Sequence, residues 1–138
     1  MTTIAAVRQG LADAITTGLP DWRADPYVGE QVNPPQIKVV IGPFDPRYVL
    51  SEAKKNVLFR CHCYATRSGG AQSEAILDAL AEPSGSGSFI AAVQTSSNWS
   101  ATVDYAQVVN VSEIQVSTFG TSDAIEYFVR TFDVEVVW

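Results

Sequence analysis

Hydrophobic positions change their spacing several times along this chain, and each change marks an element. Ile4, Val7, Leu11, Ala14 and Ile15 fall on one stripe of a 3.6-residue period, which predicts a helix over 4–17 capped by Thr2 and Thr3. Gly18 and Pro20 stop it. From 20 to 35 the chain reads as an irregular linker, whose tandem Pro34-Pro35 enforces an extended approach to the next strand. Trp22 and Tyr27 in that linker are either contact aromatics or side chains folded back onto the core. Ile37, Val39 and Ile41 then alternate with Lys38 and Val40, the period of a first strand.

Gly42-Pro43 ends that strand, and a polar excursion over 44–55 follows. It is longer than the two to five residues usual in hairpins, so it reads as a functional loop or a disordered tip. The second strand, 56–65, alternates again. A helix over 71–81 follows, with Ala75, Ile76, Ala79 and Leu80 expected on its inner side. Ser84-Gly85-Ser86-Gly87 is a plain loop, lacking the lysine and glycine spacing of a phosphate cradle. Ser88 caps a shorter helix over 89–95, burying Phe89, Ile90 and Val93.

Tyr105, Val109 and Val111 share one parity and Ile114 and Val116 the other. One long strand with a β-bulge near Ser112-Glu113 accounts for the switch. The last strand, 125–138, sets Phe132, Val134, Val136 and Trp138 against Asp133, Glu135 and Val137 and pairs with its predecessor as an antiparallel hairpin. The expected fold is α/β (α+β): one domain over 1–138, with a mostly antiparallel four-stranded sheet, an N-terminal helix and two shorter helices. The edge of the sheet at the last strands is expected to supply an assembly contact.

Composition narrows the function. Hydrophobic residues make up 46% of the 138 and charged residues 17%, which describes a globular chain with an uncharged polar surface suited to neighbours. The net charge is −6 and the basic residues form no run, so tight nucleic-acid binding is not expected. No secretory signal or membrane span is legible, and the expected place of synthesis is the cytoplasm.

Candidate chemistry is sparse. Cys61, His62 and Cys63 form a triplet, but strand alternation sends the thiols to one face and the imidazole to the other, and no fourth ligand cluster completes a zinc site. The cysteines read as buried, reduced thiols. His62 has no activating partner motif, and Asp133 with Glu135 reads as a solvated strand face rather than an acid/base pair. No metal, no cofactor and no catalytic residue is expected.

The layout carries a resemblance. The amphipathic start over 4–19, the Asn33-Pro34-Pro35 entry, the strand Phe59-Arg60-Cys61-His62-Cys63-Tyr64, the helix Ala71-Gln72-Ser73-Glu74-Ala75-Ile76-Leu77-Asp78-Ala79-Leu80 and the closing strand Glu126-Tyr127-Phe128-Val129-Arg130-Thr131-Phe132-Asp133-Val134-Glu135-Val136 occur in this order. Nearly the whole chain thereby resembles the tail terminator (tail completion) proteins of long-tailed, siphovirus-type bacteriophages, those of actinobacterial hosts in particular. The resemblance implies a structural virion protein and not an enzyme. It implies a hexameric ring at the head-proximal end of the tail, which caps the tail tube, stops its polymerisation and meets a head-side connector or stopper protein.

DNA would only pass through the lumen, and no membrane would be involved. For such a subunit the 44–55 excursion becomes an arm reaching a neighbour or the lumen, with Asp45, Arg47, Tyr48, Glu52, Lys54 and Lys55, together with Trp138, as candidate interface residues. The alternatives are another neck protein (head-tail adaptor, stopper or head-completion protein) or, outside the virion, a small α/β binding or enzymatic domain.

Overall fold

The computed structural model describes residues 3–27, 29, 32–42, 56–118 and 125–138. Helix α1, Ile4–Gly18, starts where Thr3 Oγ1 accepts the Ala6 N–H at 3.1 Å. It ends where the Leu19 N–H donates to the Ile15 carbonyl at 2.7 Å, just ahead of Pro20. Strands β1 (Arg23–Asp25), β2 (Gln36–Ile41) and β3 (Asn56–Thr66) follow, then helices α2 (Ala71–Leu80) and α3 (Phe89–Gln94). Strands β4 (Tyr105–Val111), β5 (Gln115–Thr118) and β6 (Glu126–Val137) complete the described elements.

Strand order is β1-β2-β3-β6-β4, with β5 also paired to β6. Only β1 and β2 run parallel; every other pair is antiparallel. The fold is α+β as expected, but the sheet has six strands and not four. Strand β1, at three residues, is too short to show a period, and it lies inside what reads as linker. Strands β4 and β5 stand where one strand was expected.

Their separation has a physical cause at Arg130. Its Nε–H donates to the Ser112 carbonyl at 2.9 Å, and its Nη1 donates to the Leu77 carbonyl and Asp78 Oδ1, each at 3.2 Å. Ser112 also exchanges bonds with Thr131: its N–H donates to the Thr131 carbonyl at 2.9 Å, and its Oγ accepts the Thr131 N–H at 2.8 Å. The chain is held at Ser112 by one side chain of β6, so the ladder stops and restarts at Gln115. The parity switch comes earlier than expected, at a bulge between Val108 and Asn110.

Register assigns the two faces of the sheet. Ile37, Val39, Val57, Phe59, Cys61, Cys63, Phe132, Val134 and Val136 point to the face that all three helices cover, and every one is fully buried. From α1, Val7, Leu11 and Ile15 enter the same core, and Phe89 of α3 stacks on Phe132 with ring centroids 4.4 Å apart. Trp22 folds back into this core, whereas Tyr27 stays 55% exposed under the Arg8 guanidinium, 4.4 Å from its ring centre.

The inner side of α2 is Ser73, Leu77 and Leu80, which corrects the expected face: Ala75 and Ile76 are exposed. Six apolar residues in a ten-residue helix fit more than one stripe, so periodicity does not single out the buried face.

Helix α1 packs through its glycines on α3 and on the segment that follows it. A Cβ at Gly18 would lie 2.4 Å from Ala92 Cβ and 2.8 Å from its Cα, and one at Gly10 would lie 2.7 Å from Ala101 Cβ. Overpacking a well-filled contact costs about 1–3 kcal/mol. Gly18→Ala is therefore expected to lower stability by about 1–3 kcal/mol, read by thermal or urea unfolding. An unchanged midpoint would show that the two helices separate without loss.

Candidate functional site

Sheet edges are the places where a chain of this kind meets another, because an edge strand presents unpaired backbone donors and acceptors. At the β1 end, most of that potential is already spent. The Arg8 Nη2–H donates to the Val39 carbonyl at 2.7 Å, and its Nε–H donates to the Pro26 carbonyl. Arg8 thus covers β2 just beyond the reach of β1, which pairs only Gln36 to Lys38. Strand β1 itself carries an Arg23–Asp25 ion pair at 3.7 Å.

Beside it opens a cleft of about 570 Å³ lined by Arg23, Asp25, Tyr27, Asn33, Gln36 and Lys38. Lys38, which alternates with the apolar positions of β2, is buried next to Asp25. Burial lowers its pKa from the usual 10.5, with the Asp25 carboxylate opposing.

The opposite edge is different in character. Strand β4 alternates exposed and half-buried residues, and all four residues of β5 are exposed. Tyr105, Val109, Val116 and Ile125 are 47–61% exposed, and among the described residues only Tyr27 and Ile76 join them as large exposed hydrophobics. On β4 the Val108 N–H is taken by Gln94 Oε1 at 3.3 Å, reaching over from α3. Strand β5 has no such cover among the hydrogen bonds of the described residues.

The sheet face away from the helices carries a polar ladder. His62 Nδ1 lies 3.0 Å from Thr131 Oγ1, and Arg60 pairs with Asp133 at 3.3 Å. Glu135 Oε1 accepts from Tyr105 Oη at 2.9 Å and from Asn56 Nδ2 at 3.1 Å. Asp133 and Glu135 are half-buried members of this ladder and not freely solvated as the alternation implies. The Cys61 and Cys63 thiols sit on the opposite face from His62, and burial pushes both well above the usual thiol range. Among the described residues, no group of three or more His, Cys, Asp or Glu could hold a metal ion. None of the described helices is long and apolar enough to cross a membrane.

Of the residues expected to form an interface, Asp45, Arg47, Tyr48, Glu52, Lys54 and Lys55 lie outside the described residues. Trp138 is half-buried and packs against the core at the end of β6. The expected assembly edge moves as well. Strand β6 is interior, between β3 and the β4–β5 pair, so the open edge belongs to β5 and the outer side of β4. Sequence reasoning missed Tyr105, Val109, Val116 and Ile125 as a group. The available signal was the four-residue β5, Gln115-Val116-Ser117-Thr118, which has no charge and no proline to blunt an edge. No protein-family model matches the chain, and no curated protein matches it in sequence.

His62 gives the ladder a pH dependence. Burial lowers its pKa from the usual 6.5, the Arg60 guanidinium lowers it further, and Asp133 opposes. In the window between the folded pKa and 6.5 the unfolded chain binds more protons, so stability rises with pH there. Stability is complete above pH 6.5 and is lost as the pH falls below it toward the folded value. The wild-type melting temperature is expected to drop across that window, and His62→Gln is expected to lose that part of the slope. An identical slope in the variant would mean that His62 titrates equally in both states.

Proposed function

We propose that this chain is a structural virion protein, a tail terminator that assembles as a ring on the head-proximal end of a phage tail tube. The ring stops tube polymerisation and offers its outer face to a head-side connector or stopper protein. One observation supports the reading most: four of the six exposed large apolar side chains among the described residues lie along β4, β5 and the start of β6, at an open sheet edge. An uncovered apolar edge of this kind is a hazard in a protein that works alone and a seam in one that works as part of an assembly.

The ordering of elements that resembles terminators agrees with this reading. So does the low charge of β4 and β5, which spares a partner the cost of burying unpaired ions.

Electron microscopy of particles from an infection lacking this protein tests the proposal. Overlong tails are the expected result, with normal length restored by the wild-type chain supplied in trans. Tails of normal length beside unattached heads would overturn termination and place the protein at the connector instead.

A further inference from the structure

Resting on the ring reading, we propose that the ring is sewn by strand pairing between opposite edges: β5 of one copy adds to β1 of a second copy of this chain. The argument starts from what is closed. At one end of the sheet the Arg8 guanidinium holds the Val39 carbonyl of β2, which leaves the three residues of β1 as the available backbone. At the other end Gln94 holds the Val108 N–H of β4, and Arg130 with Thr131 holds Ser112. That leaves the four residues of β5. Among the described residues, each edge therefore offers one short strand, three residues at β1 and four at β5.

Their side chains are matched as well. Strand β5 is uncharged, and the charges of β1 are an Arg23–Asp25 pair that already balances itself. Joining them sets no like charges side by side. The hairpin around β5 carries the exposed acids Glu113 and Glu126, Glu126 being paired with Arg67. Pairing β5 with its own copy would gather these acids from both chains, whereas β1, its Arg23 and Asp25 already paired, adds no net charge.

Face parity then fixes the geometry. Ala24 lies in register with Ile37 on the helix-covered face, and Val116 and Thr118 lie in register with Phe128 and Glu126 on that same face. A continuous sheet with all helices on one side requires Ala24 to meet Val116 or Thr118 of the neighbour. Opposite edges used once per copy make a heterologous contact, the kind a ring requires and which closes where the rotation per copy closes. Pairing of like edges would instead stop at a dimer and leave one edge of each copy bare.

Disulfide trapping tests this directly, since adjacent strands bring Cα atoms within bridging range. The native thiols do not compete, because Cys61 and Cys63 are buried with raised pKa values. Chains carrying Ala24→Cys with Val116→Cys, or Ala24→Cys with Thr118→Cys, would be oxidised at high concentration with and without tail tubes. The expected result is a ladder of covalent oligomers from at least one double variant, ending in a closed ring, and none from the three single variants.

Dimers from Val116→Cys, Thr118→Cys or Ala24→Cys alone would show like-edge pairing and overturn the proposal. So would the absence of crosslinks in both double variants under conditions where they still form rings. Double variants that crosslink into rings, beside a wild-type chain that caps no tube, would fail the terminator reading and leave the seam standing.

Discussion

The structure depends on one constraint: strand β6 is paired along both of its sides. On one side β3 runs antiparallel to it from Asn56↔Val137 to Thr66↔Tyr127. On the other, β4 and β5 share its length between them. A strand hydrogen-bonded on both sides has no freedom of register, and a one-residue slip would send every inward side chain to the wrong face. Phe132, Val134 and Val136 are thereby fixed beneath the helices, and Phe89 and the α1 stripe pack against them. Arg130 adds a second level of control from the same strand, because it ties the end of α2 to the gap between β4 and β5.

Centrality of β6 also decides where the chain is open. A strand in the middle of the sheet pushes the edges outward to β1 and to β4 with β5, and these two edges are treated differently. On the first, the Arg8 guanidinium closes β2 beyond Lys38 and leaves the short strand β1, with its paired Arg23 and Asp25, as the open backbone. The second carries exposed Val116, Val109 and Tyr105 and almost no charge. The contrast gives the assembly reading its physical content, since it identifies a surface that gains by being covered. His62, Arg60 and Asp133 sit away from both edges in a ladder that joins strands, and their chemistry reads as structural.

Much of this was legible in the sequence, for reasons that differ by element. The α1 stripe and the alternation over β2, β3 and β6 are long enough for period to dominate, and the Ser88 cap lies at the start of α3 as the sequence implies. Strand β1 was invisible because three residues show no period and its pairing comes from a parallel neighbour eleven or more residues away. The inner face of α2 was misread because Ala75, Ile76, Ala79 and Leu80 form a plausible stripe, while burial falls on Ser73 and Leu77. The break after β4 depends on Arg130, a long-range partner that no local pattern announces. The candidate site was legible only as a prediction that the last strands form an edge, and the pairing of β6 moved that edge to β5.

Backbone amide hydrogen exchange of the assembled and unassembled protein tests the central claim most directly, because it reports strand pairing residue by residue. In the dispersed chain the amides of β6 are expected to be strongly protected and the outward amides of β1 and β5 to exchange freely. On assembly both short strands should gain protection together, with β6 unchanged. Protection appearing on β5 alone, or at neither edge while rings form, would contradict the account.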